Sequence, residues 1–131
     1  MSKNKPVITN LGKIDGRNGI YLDDVKQTFS PNKLFFNGEI DGKLCSNNAE
    51  GYRWYSYELY FSLVQAYNCM ELELCKLKVE SSFDEIIDSE LITKFNLDGK
   101  SYKHYILSTY DYVYSIISKE FNLKITGHRN G

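Results

Sequence analysis

The sequence predicts an α+β domain that is mostly antiparallel β-sheet, with one or two helices packed on one face. Residues 53–64 alternate apolar and polar side chains, as a half-buried strand requires. Residues 81–95 combine a capping box with an apolar stripe at helical spacing. The 131 residues, 42% of them apolar, suffice for one packed domain over 1–131, with short flexible tails predicted at 1–6 and 127–131.

Strand patterns in the first half of the chain are separated by turn residues. Residues 7–14 and 33–36 each predict a short strand. Asn37-Gly38 and Asp41-Gly42 are both hairpin-turn dipeptides, but they lie too close together to turn one regular hairpin, so one is predicted to be a bulge. The inward face of the 53–64 strand is predicted to carry Tyr55, Tyr57, Leu59, Phe61 and Leu63.

The segment 65–79 fits two structures. Apolar residues recur at helical heptad spacing through it. The alternation of Met70 and Leu72 with Glu71 and Glu73 indicates a strand instead. We favour the strand, which places both glutamates in water, and keep the helix as the alternative.

Two helices are predicted in the second half. Residues 81–95 begin with a capping box at Ser82, which is typical of a helix N-terminus. A second helix is predicted to start at 108–111, because the apolar residues that follow keep helical spacing. Residues 102–108 and 121–126 alternate as strands.

Composition and motifs argue against several function classes. The formal net charge is −1 and the basic residues are scattered singly, so no nucleic-acid partner is predicted. No glycine-rich phosphate loop is present, and the two histidines and three cysteines lack the spacing of a metal site. We therefore predict no cofactor, no metal and no catalytic residues.

The sequence also predicts where the protein works. No apolar run approaches the roughly 20 residues of a membrane-spanning helix, so no membrane partner is expected. Three cysteines without a disulfide pattern indicate a cytoplasmic protein. His104, on a predicted strand, reads as a hydrogen-bonded structural residue, although a nucleophilic set that meets only in space stays open.

Tyrosine is unusually frequent, with eleven residues, ten of which fall in two aromatic groups at 52–67, together with Trp54, and at 102–114. The rings either pack the core of a sheet or build a protein-binding face. Tyr60 favours the second role, because it lies on the polar side of the 53–64 strand. The predicted partner-binding residues are Tyr60, Glu58 as its rim neighbour, and Tyr112 as a second site.

Three stretches carry a family resemblance. They are residues 36–42, residues 81–86 with Asp88-Ser89, and His104-Tyr105 followed by residues 109–113. The last two, in this order, resemble a group of small bacterial single-domain proteins, some of which look like immunity proteins encoded beside polymorphic toxins. The resemblance covers about half the chain and implies no catalytic residues.

Two functions are compatible with these observations. The first is a non-catalytic protein-binding domain, such as an immunity protein that binds and neutralises a cognate bacterial toxin. The alternative is a small-ligand-binding protein or minor enzyme that uses a pocket between the sheet and a helix. A filled core with an exposed tyrosine-rich face favours the first, and an apolar pocket with convergent polar groups favours the second.

Overall fold

The computed structural model describes residues 3–29, 31–71 and 79–130. These residues form two antiparallel β-sheets, one short helix and one 3₁₀ turn at Gly42–Leu44. The strands are β1 (Lys3–Pro6), β2 (Ile20–Thr28), β3 (Lys33–Asp41), β4 (Trp54–Ser62), β5 (Ala66–Glu71), β6 (Phe83–Ile87), β7 (Lys103–Ser108), β8 (Tyr112–Ser118) and β9 (Glu120–Arg129). The helix α1 covers Glu90–Lys94. Within the described ranges, no helix is long and apolar enough to cross a membrane.

The strands are divided between a five-stranded and a four-stranded sheet. The five-stranded sheet has the order β1-β6-β7-β8-β5, and the four-stranded sheet has the order β2-β3-β4-β9. Every paired neighbour is antiparallel. The chain passes from one sheet to the other three times, between β1 and β2, between β4 and β5, and between β8 and β9. At the last crossing the Lys119 amide donates to the Ser62 carbonyl at 3.0 Å.

The core lies between the two sheets. Inward-facing side chains of both sheets form one hydrophobic cluster, and many of them are aromatic. Phe36 of β3 packs edge-on against Tyr114 of β8, with ring centroids 4.9 Å apart. Phe61 of β4 makes a similar contact with Phe83 of β6 at 5.9 Å. The inward aromatic rings therefore join the two sheets.

Several predicted strands are confirmed. Residues 53–64 contain β4, and its alternation is the predicted one, except that Leu63 lies beyond the strand end at φ 52° and is exposed. The segments 102–108 and 121–126 contain β7 and most of β9. The favoured strand in 65–79 is present as β5, where Glu71 is exposed as predicted, while 72–78 lie outside the described residues.

The predicted α+β class is wrong, because the described chain is essentially all-β. Residues 83–87 of the first predicted helix form β6, which pairs with β7, and only Glu90–Lys94 are helical. Ser82 does not cap a helix: its side chain is buried and its hydroxyl donates to the Gly16 carbonyl. The N-cap is Ser89, whose hydroxyl accepts from the Ile92 amide at 3.4 Å.

The second predicted helix is also wrong, because these residues form β8. Ile116 faces the cluster between the sheets, and Val113 and Ile117 are buried outside that cluster. A strand that is buried on both faces loses the polar half of its alternation. Its apolar residues then imitate helical spacing, and only the pairing with β5 and β7 decides the structure.

The beginning of the chain differs from the prediction as well. Residues 7–14 do not form a strand: Thr9 and Gly12 make one isolated bridge, and Ile14 makes another with Cys45. Lys3–Pro6, within the predicted N-terminal tail, form β1 and pair with β6. The predicted C-terminal tail begins inside β9.

Asn37-Gly38 turns no hairpin, because β3 runs straight through it. Neither dipeptide is the predicted bulge: Asp41-Gly42 leads into the 3₁₀ turn, and the register shift opposite Gly38 belongs to β2, between Leu22 and Asp24. A Cβ atom at Gly38 would lie 2.9 Å from the Tyr21 carbonyl carbon and 3.1 Å from the Asp23 amide nitrogen. The glycine therefore permits the close approach of the bulged strand.

We expect Gly38→Ala to lower the free energy of unfolding by about 1–3 kcal/mol, because the added methyl group meets backbone atoms that cannot move aside. Urea melts measure the change. Gly127→Ala on β9 is the matched control, since its Cβ would meet only Ser56 side-chain atoms at 3.7 and 3.8 Å. Equal losses in the two variants would contradict the explanation.

Candidate functional site

The face of the four-stranded sheet that points away from the core is here called the outer face. Along β4, inward residues are buried and outward residues keep partial exposure. Tyr60 lies on this face with its ring centroid 5.5 Å from that of Phe35. The Lys33 ammonium lies 5.4 Å from the centre of the Tyr60 ring, and the Asn122 amide donates to the Tyr60 hydroxyl at 2.9 Å. Tyr60 is therefore both accessible and held in place.

Trp54 occupies the other end of the outer face. Two guanidinium groups lie near its ring, with Arg53 at 5.0 Å and Arg129 at 5.4 Å from the ring centre. Arg129 also donates two hydrogen bonds of 3.0 Å to the Glu39 carboxylate. This bidentate pair fixes the guanidinium over the indole ring.

The structure brings two of the three predicted partner-binding residues together. Glu58 and Tyr60 point to the same outer face, and Glu58 lies in register between Asn37 and Lys124. Tyr112 is on the other sheet, at the start of β8, where it pairs with Glu71. It therefore lies outside the outer face.

Tyr112 lines a cleft of about 360 Å³ between β2 and the turn that joins β7 to β8. We call it the tyrosine cleft. Its lining residues are Tyr21, Leu22, Asp23, Asp24, Val25, Thr109, Tyr110, Asp111, Tyr112 and Tyr114. Tyr110 and Tyr112 are 41% and 44% exposed, and all three aspartates are exposed. The cleft is thus aromatic in its walls and acidic at its rim.

Tyr21 connects the outer face to the tyrosine cleft. Its ring meets Trp54 edge-on at 5.5 Å and stacks on Tyr110 at 5.2 Å with an interplanar angle of 17°. Its carbonyl accepts a hydrogen bond of 3.0 Å from the buried Tyr57 hydroxyl. The Tyr110 amide donates to the Ile20 carbonyl at 2.9 Å, which ties the turn to β2. One aromatic surface therefore passes from the outer face around the β2 edge into the cleft.

Sequence reasoning placed Trp54 and Tyr110 in the two aromatic groups without singling them out, and it left Tyr21 outside both groups. Tyr21 lies in a weakly patterned stretch, and its two ring partners are distant in sequence. The β2–β3 register and the packing of the two sheets bring the three rings together. The only local signal was the high tyrosine content.

His104 is buried and hydrogen-bonded through both ring nitrogens. Its Nδ1 lies 2.7 Å from the Ser89 hydroxyl, and its Nε2 lies 2.6 Å from the Ser115 hydroxyl. Burial lowers the pKa of the imidazole to about 4, so the ring is neutral near pH 7. A base with so low a pKa accepts protons poorly at neutral pH, which favours a structural role for His104. The two hydrogen bonds of the ring connect the N-cap of α1 and strand β8 to β7.

Cavities beside α1 are small. One cavity of about 260 Å³ lies between α1 and the paired strands β5 and β8, and it includes Ser115. Another of about 270 Å³ lies between α1 and β6. Ligand pockets usually hold roughly 300–1,000 Å³. In the part of the chain that the structure describes, no three histidine, cysteine, aspartate or glutamate side chains are grouped to hold a metal.

The described cysteines are Cys45 and Cys69, and both are free thiols. Burial and the nearby Asp41 raise the pKa of the Cys45 thiol to about 11, which makes it a weak nucleophile. Cys69 is exposed on β5. Cys75 lies outside the described residues.

Comparisons of this chain with protein-family models, with curated proteins and with solved structures gave no match. The resemblance to immunity-type proteins therefore stays a prediction from the sequence.

We expect the wild-type protein to lose stability as the pH falls below 6.5. The imidazole of His104 is protonated near pH 6.5 in the unfolded chain but only near pH 4 in the folded chain, so acid favours the unfolded state. His104→Gln keeps a hydrogen-bonding side chain and removes this titration. Urea melts at pH 7 and pH 5 should show the wild type losing up to about 2 kcal/mol more than the variant. Equal losses would contradict a buried neutral imidazole.

Proposed function

We propose that this protein acts without catalysis, by binding another protein through the outer face of its four-stranded sheet. The observation that carries the proposal is the state of the outward aromatic rings. Tyr60, Phe35 and Trp54 are partly exposed, yet each is packed against a neighbouring ring or cation. Tyrosine and tryptophan anchors of this kind supply most of the affinity in protein interfaces.

The packing of these rings lowers the entropic penalty of binding. Lys33 and Asn122 hold Tyr60 in one position before any partner arrives. Arg129 and Glu39 do the same for Trp54. Side chains that are ordered in the free protein lose little further freedom on binding, so more of their contact energy contributes to affinity.

Charge on the outer face favours a desolvated contact over long-range attraction. Acidic and basic residues alternate there, with Glu58 beside Lys124 and Glu39 bound to Arg129. The net charge of −1 gives weak steering of a charged partner. Tyr60 is therefore expected to be an anchor and Glu58 a rim residue that adds less.

In its specific form, the proposal is an immunity protein that binds and neutralises a cognate bacterial toxin. The sequence resemblance supports this form. A protein that neutralises a toxin by binding needs a rigid contact face, and the outer face supplies one. The product of the neighbouring gene is the partner to test. Its expression alone should arrest growth of the host, and co-expression with this chain should restore growth.

We expect Tyr60→Ala to weaken the complex with that partner by about 2 kcal/mol, as truncation of an interface anchor does. Glu58→Gln should change the affinity by less than about 1 kcal/mol. Calorimetric titration measures both. Tyr102→Ala is the matched control, because Tyr102 is similarly half-buried but precedes β7 beside α1.

The result that contradicts the proposal is equally specific. In that result, the product of the neighbouring gene binds the wild type, Tyr60→Ala and Tyr102→Ala with equal affinity. Unchanged melting temperatures would show that both variants are folded. Absence of any complex with the neighbouring product would remove the immunity form.

A further inference from the structure

We propose that the tyrosine cleft receives an arginine side chain of the partner protein. This inference rests on the proposed function and names the chemistry of the partner. The cleft adjoins the outer face through Tyr21, which contacts both Trp54 and Tyr110. A partner that covers the outer face near Trp54 therefore reaches the cleft without a second binding event.

The walls of the cleft suit a planar cation. Tyr110 and Tyr112 present ring surface to solvent, and the cleft volume of about 360 Å³ exceeds that of the two cavities beside α1. The turn that carries both rings is rigid, because Thr109 closes it: its hydroxyl donates to the Tyr112 carbonyl at 2.8 Å and accepts from the Tyr112 amide at 3.2 Å. A guanidinium group stacks on such rings with its flat face.

One contact between a guanidinium group and a tyrosine ring already exists within this chain. The Arg17 guanidinium carbon lies 5.5 Å from the centre of the Tyr110 ring. Tyr110 also stacks on Tyr21, so its orientation is fixed from β2. The geometry at this ring is therefore compatible with a guanidinium, and Tyr112 offers a second ring in the same cleft.

Charge complementarity selects a cation as the occupant. Asp23, Asp24 and Asp111 line the cleft, and none of them takes part in the four ion pairs found among the described residues. Three exposed carboxylates beside aromatic walls disfavour an anionic or purely apolar occupant. Arginine fits better than lysine, because its fork donates to carboxylates while its plane stacks on a ring.

The experiment titrates the full chain with a short acetylated, amidated peptide, Gly-Arg-Gly-Arg-Gly. The control peptide replaces each arginine by citrulline, which keeps the shape and removes the charge. Backbone amide shifts report the binding position. We expect shifts concentrated in residues 21–25 and 109–114, an affinity for the arginine peptide on the order of tenfold higher, and weaker binding at high salt.

Variants locate the site on the protein. Asp111→Asn and Tyr112→Leu should each lower the affinity for the arginine peptide by about threefold or more, because the first removes a carboxylate from the cleft and the second removes an aromatic ring. Glu50→Gln is the matched control: it removes an exposed carboxylate that is not part of the cleft lining. The melting temperature of each variant checks that it is folded.

Two outcomes overturn the inference. One is equal binding of the arginine and citrulline peptides, and the other is a shift pattern outside the cleft that Asp111→Asn leaves unchanged. Either result leaves the proposed function intact if Tyr60→Ala still weakens the protein partner. Conversely, peptide binding in the cleft without any protein partner would support the cleft and contradict the proposed function.

Discussion

The aromatic contact at the centre of the two sheets is the constraint on which the rest of the structure depends. Phe61 is fully buried and meets the rings of Phe36, Phe83 and Tyr105 at centroid distances between 5.4 and 5.9 Å. These rings come from both sheets, and each tilts or turns edge-on to Phe61. Such geometry is more directional than aliphatic packing, so it sets how the sheets lie on each other as well as how strongly they hold together.

The position of the outward aromatic rings follows from this packing. Because the odd-numbered residues of β4 point inward, Trp54, Glu58 and Tyr60 must point outward. The same packing brings the turn between β7 and β8 against β2, where the Tyr110 amide reaches the Ile20 carbonyl. The aromatic surface around the β2 edge is thus a consequence of the core, and a rigid one.

The opposite side of the five-stranded sheet is organised by polar contacts. His104 and its two serine partners connect α1 to β7 and β8, and Asp84 of β6 accepts from the Ser81 hydroxyl at 2.6 Å and the Glu80 amide at 2.6 Å. Buried polar groups are seldom left unpaired, and these side chains find partners in neighbouring hydroxyls and a backbone amide, whereas the buried Ser108 and Ser118 hydroxyls have none among the described residues. The hydrogen bonds of His104 with Ser89 and Ser115 have a structural explanation in this requirement.

The sequence by itself determined the elements whose pattern is local. The period-two alternation in β4 predicted that strand, its faces and the outward positions of Tyr60 and Glu58. Tertiary structure alone decided 83–87 and 112–118, because Phe83, Ile116 and Ile117 are buried by partners distant in sequence. In 112–118 the strand is also buried on both faces and so carries no alternation to read. It also decided the cleft, since the contacts of Tyr21 with Trp54 and Tyr110 exist only after the two sheets have packed.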